Sequence, residues 1–305
     1  MKTLHELSQE LAKKQPHQVD SLTEEAPILK RIPFEASSHP LWNTYEDVVD
    51  VEGAGWVNMN APLPTVDAST RLVKVDLSIL GGEIECPEDT AQMFGGKEKY
   101  FAKKMPKVLR KSGMTAEKAI LYNNFLAYAK DENKLINAGA STGGTYSLIA
   151  VRFVAGETCG LYSPEGFKQG TMLDTRPIAG GQLYKATSGT YAGVLVYGLR
   201  LKSYLGLQIA NPNTVAAIVN INSSNKPTET MVDDLIAMVR GSDSGHTMLF
   251  CHERCKNMLY SYKGNSLQVT NKDKDMNRML THWNGVEVVT SYNFTDGEDT
   301  AITVS

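Results

Sequence analysis

Tyr191-Ala192-Gly193-Val194-Leu195-Val196-Tyr197-Gly198-Leu199-Arg200-Leu201 opens a long apolar run. It continues through Tyr204-Leu205-Gly206-Leu207 to Val215-Ala216-Ala217-Ile218-Val219-Asn220-Ile221. Leu195, Tyr197, Leu199 and Leu201 alternate with Val196, Gly198, Arg200 and Lys202, so two or three strands are expected over 190–221. Upstream, Leu161-Tyr162-Ser163-Pro164-Glu165-Gly166, Gly180-Gly181 and Ser188-Gly189 read as turns. Nothing over 161–222 stands in a catalytic pattern; it reads as backbone that pairs and packs.

Toward the N-terminus, residues 3–14 read as a short amphipathic helix. Thr3 and Glu6 form a capping-box pattern and Leu4, Leu7 and Leu11 share a face. Ile28-Leu29-Lys30-Arg31-Ile32-Pro33-Phe34 reads as an extended apolar patch. The first 35 residues therefore read as an arm whose apolar face needs a dock, and their removal is expected to leave the core folded and to impair assembly. Residues 41–86 read as a long two-stranded excursion. Its tip is Asn60-Ala61-Pro62-Leu63-Pro64, and its second leg alternates Val73, Val75, Leu77 and Ile79 with Lys74, Asp76 and Ser78 until Gly81-Gly82 breaks it. Two helices are expected over 88–135. The first is kinked by Pro106 and stopped at Ser112-Gly113, and the second runs from Thr115 to Asp131.

Toward the C-terminus, a glycine-rich joint at 137–145 precedes a strand over 147–153. Thr228 caps a helix to Arg240, a strand spans 248–251, and a helix follows from Glu253, ended by Gly264. Asn284-Gly285 is a hairpin-turn dipeptide leading into Val286, Val288 and Val289.

A chain of 305 residues can bury a large core. No apolar run reaches the roughly 18–20 residues that span a bilayer, and Met1-Lys2-Thr3-Leu4-His5-Glu6 lacks the apolar stretch of a signal peptide. Four cysteines fit a reducing compartment better than a disulfide scaffold. The net charge of −3 argues against a chain that grips nucleic acid along its whole length. The charge is unevenly placed: residues 1–60 hold five basic and ten acidic residues, and 97–134 hold ten basic and four acidic ones. Solvated faces explain this, and so do acidic and basic surfaces that meet between copies.

Four local patterns invite chemistry. Cys251 and Cys255, with His252 and His246, suggest zinc, but the paired Cys-x-x-Cys spacing is missing, and buried thiols fit better. Gly139-Ala140-Ser141-Thr142-Gly143-Gly144-Thr145 lacks the Gly-Lys-Ser/Thr ending of a phosphate loop. Asp296-Gly297-Glu298-Asp299 lacks calcium-loop spacing. The basic run Lys97, Lys99, Lys103, Lys104, Lys107, Arg110, Lys111 falls round a helix with few aromatics beyond Tyr100 and Phe101, which fits a solvated or inter-subunit face better than nucleic acid. No catalytic residue, cofactor site or metal site is assigned.

The order of features resembles the major capsid proteins of tailed bacteriophages, an α+β architecture known as the HK-ninety-seven-like fold, nearest to the coat proteins of short-tailed phages. The resemblance rests on Ile32-Pro33-Phe34-Glu35, Leu63-Pro64, Arg71 through Ile79, Gly95-Gly96, the helix from Thr115, and Tyr162-Ser163-Pro164-Glu165-Gly166. Val196-Tyr197-Gly198-Leu199, Tyr204-Leu205-Gly206-Leu207, Ile218-Val219-Asn220-Ile221, 233–250 and Trp283-Asn284-Gly285-Val286-Glu287-Val288 complete it. Tyr204 stands where a tryptophan is expected, and Asn211, Asn213 and Ala217 replace charged residues.

The resemblance implies an N-arm (1–40), an extended β-hairpin loop (41–86) and a peripheral domain with a spine helix (87–149). A mainly axial domain with returning peripheral strands (150–285) and a C-terminal β segment (286–305) would follow. It implies a virion shell protein, not an enzyme, assembling with itself as pentamers and hexamers around double-stranded DNA, with portal, scaffolding and decoration proteins as partners and no membrane. Assembly contacts are expected at Leu4, Leu7, Leu11, Arg31, Phe34, Trp42, Trp56, Pro164, Glu165 and Gly166. An encapsulin-type compartment shell and a soluble α/β enzyme are the alternatives.

Overall fold

The computed structural model describes residues 2–3, 26–59, 61–141, 144–164, 174–259, 267–268, 282–295 and 301–304. Two large sheets and one protruding hairpin make up its β-structure. Residues 4–14 of the expected 3–14 helix, Glu165-Gly166, the end of the helix near Gly264 and the acidic turn at 296–299 lie outside the described residues, while Thr3 lies in a two-residue strand.

Strands β7 (Tyr146–Phe153) and β12 (Val215–Ile221) are buried at every position. Their near-continuous apolar sequence allows this, because both faces of the sheet are covered. Five further strands complete that sheet: β6 (Leu135–Asn137), β13 (His246–Cys251), β14 (Leu267–Gln268), β15 (His282–Trp283) and β16 (Val286–Thr290), in the order β14-β15-β16-β13-β7-β12-β6. Ile149, Val151, Phe153, Ala217, Val219 and Phe250 belong to one core cluster; Leu148, Ala150, Ala216, Ile218 and Leu249 belong to another. Successive residues change face, as the two-residue period of a strand requires. Helices α4 (Glu229–Met238) and α5 (Glu253–Leu259) cover the second face through Val232, Leu235, Cys255 and Leu259. Thr228 caps α4 as expected, its side chain accepting from the Met231 N–H at 3.2 Å. Asn284-Gly285 forms a two-residue turn between β15 and β16, with Trp283 opposite Val286.

The second sheet is built on β11 (Leu195–Ile209), a single strand of 15 residues. It pairs with β5 (Ser78–Pro87), β8 (Thr158–Tyr162), β9 (Asp174–Pro177) and β10 (Tyr184–Lys185). The short β2 (Pro33–Ala36) pairs with β8, and β1 (Lys2–Thr3) with β2. Gly81-Gly82 does not end its strand. β5 runs through both residues, and a Cβ on Gly81 would lie 3.0 Å from the Leu201 carbonyl, so the glycine permits close pairing with β11.

The expected helix break at Ser112-Gly113 is absent. One helical column runs through α1's neighbour α2 (Lys97–Ala119), a π-helical segment (Ile120–Leu126) and α3 (Ala127–Asp131); α1 itself is the short Glu88–Met93. Met105, Leu109, Gly113 and Glu117 are all buried, four residues apart on one stripe. Ser112 and Thr115 donate back to the carbonyls of Val108 and Lys111 at 2.9 and 3.0 Å, so their hydroxyls are satisfied inside the helix. Pro106 sits within α2, and the carbonyl it strands belongs to Ala102, an exposed residue open to water. The first half of the column packs on the β5–β11 sheet through Tyr100, Met105 and Leu109; the second half packs on the β7–β12 sheet through Leu121, Phe125 and Leu126.

The largest correction concerns the arm. Ala26, Ile28, Leu29, Ile32 and Phe34 are buried members of the main core. Residues 28–32 form a helical turn, with Ile32 N–H donating to the Ile28 carbonyl at 3.1 Å, instead of an extended patch. Glu117 fixes that turn. Its carboxylate accepts from the N–H groups of Ile28 and Leu29 at 2.9 and 3.1 Å, from Asn293 Nδ2 at 2.8 Å and from the Ser291 hydroxyl. Burial pushes the Glu117 pKa upward, and those hydrogen bonds pull it back only in part. The glycine-rich joint is likewise partly tied down: Ala138 and Ala140 N–H donate to the carbonyls of Val219 and Asn220.

Candidate assembly interface

Strands β3 (Trp42–Val51) and β4 (Ala68–Asp76) form a two-stranded sheet of their own. Ten residues of β3 reach about 33 Å at roughly 3.3 Å per residue. The root is anchored. Trp42 stacks on His39 with ring centroids 4.5 Å apart, Asn43 donates to Gln208 at 2.6 Å, and Leu77 N–H donates to the Leu41 carbonyl at 2.9 Å. Tyr45 and Asp47 lie near Tyr128, whose pKa is pushed up to about 12 by burial first and then by Glu132, Tyr45 and Asp47. The strands are held in register by Arg71, which donates to Asp47 through Nη2 at 2.8 Å and Nε at 2.9 Å.

Beyond the root the hairpin is bare. Val48, Val49, Val51, Met59, Leu63, Val66 and Leu72 are exposed, and Trp56 at the tip is completely so. Single exposed apolar residues are ordinary, but a run of them along one projection marks an interaction surface. This hairpin also carries five acids and no base over residues 41–67.

Helix α2 has the opposite character. Its first fifteen residues hold seven bases and one acid. At 100° per residue the exposed Lys99, Lys103, Lys104, Lys107 and Lys111 fall within an arc of about 140°, because the other side of the helix lies on the sheet. The lysines are therefore gathered on one solvent face, contrary to the all-round placement expected. Lys103 and Lys104 are braced over the rings of Phe94 and Tyr100, 5.2 and 5.6 Å from the centroids. Beside them a groove of about 340 Å³ opens between α2 and β11, lined by Phe101, Ala102, Met105, Pro106, Leu109 and Leu199, with Glu98 at its rim.

The expected contact residues divide into four groups. Trp56 is fully offered and Arg31 is exposed, paired with Glu287 at 2.9 Å. Trp42 and Pro164 are half-buried. Phe34 is buried against Gly160, where a Cβ would come within 2.6 Å of its ring, so it packs the core and cannot meet another copy. Leu4, Leu7, Leu11, Glu165 and Gly166 lie outside the described residues. The bare valines of the hairpin and the groove beside Pro106 were not singled out in the sequence. Their one local signal is apolar residues on both faces of a strand that has no cover.

The tempting cysteines are packing residues. Cys251 closes β13 and Cys255 sits on α5, both buried, and the hydrogen bond between them, then burial, raises the Cys251 pKa. Cys159 is pushed up to about 12 by burial and by Glu35. Such thiols are held in the unreactive form. Among the described residues no group of three His, Cys, Asp or Glu side chains could hold a metal ion, and no helix is long and apolar enough to cross a membrane.

No protein-family model and no curated protein matches the sequence. Solved structures do match. A chain of bacteriophage Epsilon15 aligns at 10% identity and a TM-score of 0.54, covering 89% of this chain and 88% of that one. The bacteriophage JBD30 capsid aligns at 9% identity and 0.53, covering 86% and 88%. The fold is the HK-ninety-seven-like capsid fold. A second JBD30 structure, the capsid decorated with minor capsid protein trimers, agrees at 10% identity and 0.51, covering 87% and 89%. No enzyme family is indicated.

Proposed function

We propose that the chain is a major capsid protein. Copies associate as pentamers and hexamers and close an icosahedral shell around double-stranded phage DNA. The observation that carries this reading is the match, over nearly nine-tenths of both chains, to capsid chains of two phages. The hairpin supports it: a projection with bare valines and a bare tryptophan lacks cover in one copy and gains it from a neighbour. Contacts on the order of 800 Å² per partner, repeated around each subunit, suffice for a shell, and weak individual contacts let misplaced subunits leave before closure. Portal, scaffolding and decoration proteins are the partners this reading adds, with assembly in the bacterial cytoplasm.

Electron microscopy of the expressed chain, alone and co-expressed with a scaffold partner, tests the reading. Shells or capsomers are expected. A chain that stays monomeric under both conditions overturns it, and shells that enclose a host enzyme in place of DNA turn it into a compartment protein.

A further inference from the structure

Asn284-Gly285 is the only Asn-Gly pair in the sequence, and the fold leaves it open to water. The pair makes the two-residue turn between β15 and β16, with φ of 44° at Asn284 and 86° at Gly285. Both residues are exposed, and a Cβ on Gly285 would meet no described atom within 4 Å. Asn284 also lines an open cleft of about 640 Å³, together with Asp233, Arg240 and Asp243. Its side chain is held, however. Asn284 Nδ2 donates to Asp233 Oδ1 on α4 at 2.8 Å, and the same oxygen accepts from Nε1 of the buried Trp283 at 2.9 Å. Asp233 therefore clamps the turn to α4 through two donors.

We propose that Asn284 is a site of spontaneous deamidation and that Asp233 is the positioning residue that slows it. The Gly285 backbone nitrogen gives its proton to base and attacks Asn284 Cγ, and glycine has no Cβ to crowd that approach. The new C–N bond closes a succinimide ring. The bond from Cγ to Nδ2 breaks, and the side-chain nitrogen takes a proton from water and leaves as ammonia. Water then opens the ring at either carbonyl, giving aspartate or isoaspartate. Water enters, ammonia leaves, and nothing is oxidised. Asp233 opposes this in two ways. Its bond to Nδ2 ties up the group that has to leave, and its charge disfavours the negative charge that develops on the neighbouring Gly285 nitrogen. The product reverses the clamp. A carboxylate then faces Asp233 where a donor stood, so attraction becomes repulsion. Isoaspartate also lengthens the backbone and spoils the pairing of Trp283 with Val286. Deamidation thus converts the turn, once and irreversibly, from clamped to released.

Incubation of the full chain in mildly alkaline water labelled with heavy oxygen tests the site. Mass spectrometry of the tryptic peptide 279–305, fragmented to separate Asn284 from Asn293, reads the label residue by residue. Label is expected at residue 284 in the folded chain, more slowly than in the same chain unfolded in urea. Asp233→Asn is expected to speed the folded-state reaction roughly tenfold, the effect of losing one hydrogen bond to a charged group. Asp233→Glu keeps an acceptor and should stay nearer wild type. Thermal melts show that each variant is folded before its rate is compared. Asn284→Asp reproduces the product, and hydrogen exchange is expected to speed up at the β15–β16 amides while β7 and β12 stay fixed. A folded chain that takes up no label while the unfolded chain is converted overturns the site. An Asp233→Asn rate equal to wild type overturns the role of Asp233, and unchanged exchange in Asn284→Asp overturns the release. None of these outcomes bears on whether the chain builds a shell.

Discussion

The seven-stranded sheet and the β3–β4 hairpin use similar residues to opposite ends. In the sheet, valines and isoleucines on β7 and β12 are covered on both faces by helices from the same chain. In the hairpin, Val48, Val49 and Val51 are left exposed by the described residues of that chain. Burial of a valine or isoleucine is worth about 1.5–3 kcal/mol. The sheet takes that gain on folding, and the hairpin leaves it for association. Variants in the sheet should therefore unfold the protein, and variants in the hairpin should leave it folded and solitary.

Truncation draws the sharpest line. Removing residues 1–35 takes Ala26, Ile28, Leu29, Ile32 and Phe34 out of the core and strips Glu117 of two donors. With several side chains each worth about 1.5–3 kcal/mol, that chain is expected not to fold. Removing residues 1–25 leaves those contacts intact and should preserve the melting transition. Circular dichroism melts of the two truncations decide it; a cooperative melt for the shorter chain would return the 26–34 turn to the arm.

Next comes a pair of aromatic truncations. Phe125 is buried between Phe153 and Phe250, with ring centroids 6.2 Å from each, and Phe125→Ala should cost about 3–5 kcal/mol. Trp56→Ala should cost almost nothing in denaturant midpoint and abolish most assembly. If Trp56→Ala unfolds the chain, the hairpin is part of the core and the contrast fails.

These corrections show what sequence could and could not carry. Strands β7, β12 and β13, the Thr228 cap and the Asn284-Gly285 turn were legible because their signals are local: unbroken apolar runs, a hydroxyl three residues before an N–H, a two-residue turn dipeptide. Ile28 to Phe34 was misread because its cover comes from Glu117 and the sheet, about ninety residues and more away in sequence. Gly113 was misread as a stop because glycine ends helices when exposed, and this one is buried in a stripe. Trp56 stood out in the sequence as a candidate contact and is fully exposed, whereas the groove beside Pro106 lies between a helix and a strand far apart in the chain.

A smaller effect separates charge from packing inside the core. Glu117→Gln keeps one carbonyl acceptor and points an amide at two donors, a cost of about 1–3 kcal/mol for the orphaned group. The wild-type carboxyl has its folded pKa raised above 4.5 by burial. The folded state therefore binds this proton more tightly than the unfolded state. The stability that proton confers is fully present below 4.5 and is lost as pH rises through the folded pKa. Across that window the advantage of wild type over Glu117→Gln should grow as pH falls. Urea midpoints measured from pH 7 downward test the sign, and an advantage that shrinks toward acid would mean that the four hydrogen bonds outweigh burial.

The smallest expected effect lies back in the hairpin. Arg71 is mostly exposed, and its pair with Asp47 joins residues directly opposite in register. Such a pair is worth about 0–1 kcal/mol, so Arg71→Ala should leave the global melt unchanged. A two-stranded sheet without cover is marginal on its own, however, and even a few tenths of a kcal/mol shift its local opening. Hydrogen exchange should therefore speed up at the β3–β4 amides and stay fixed in β7 and β12. Equal acceleration in all four strands would mean that the hairpin and the sheet open together, and that the hairpin is held by the fold rather than left free for a neighbour.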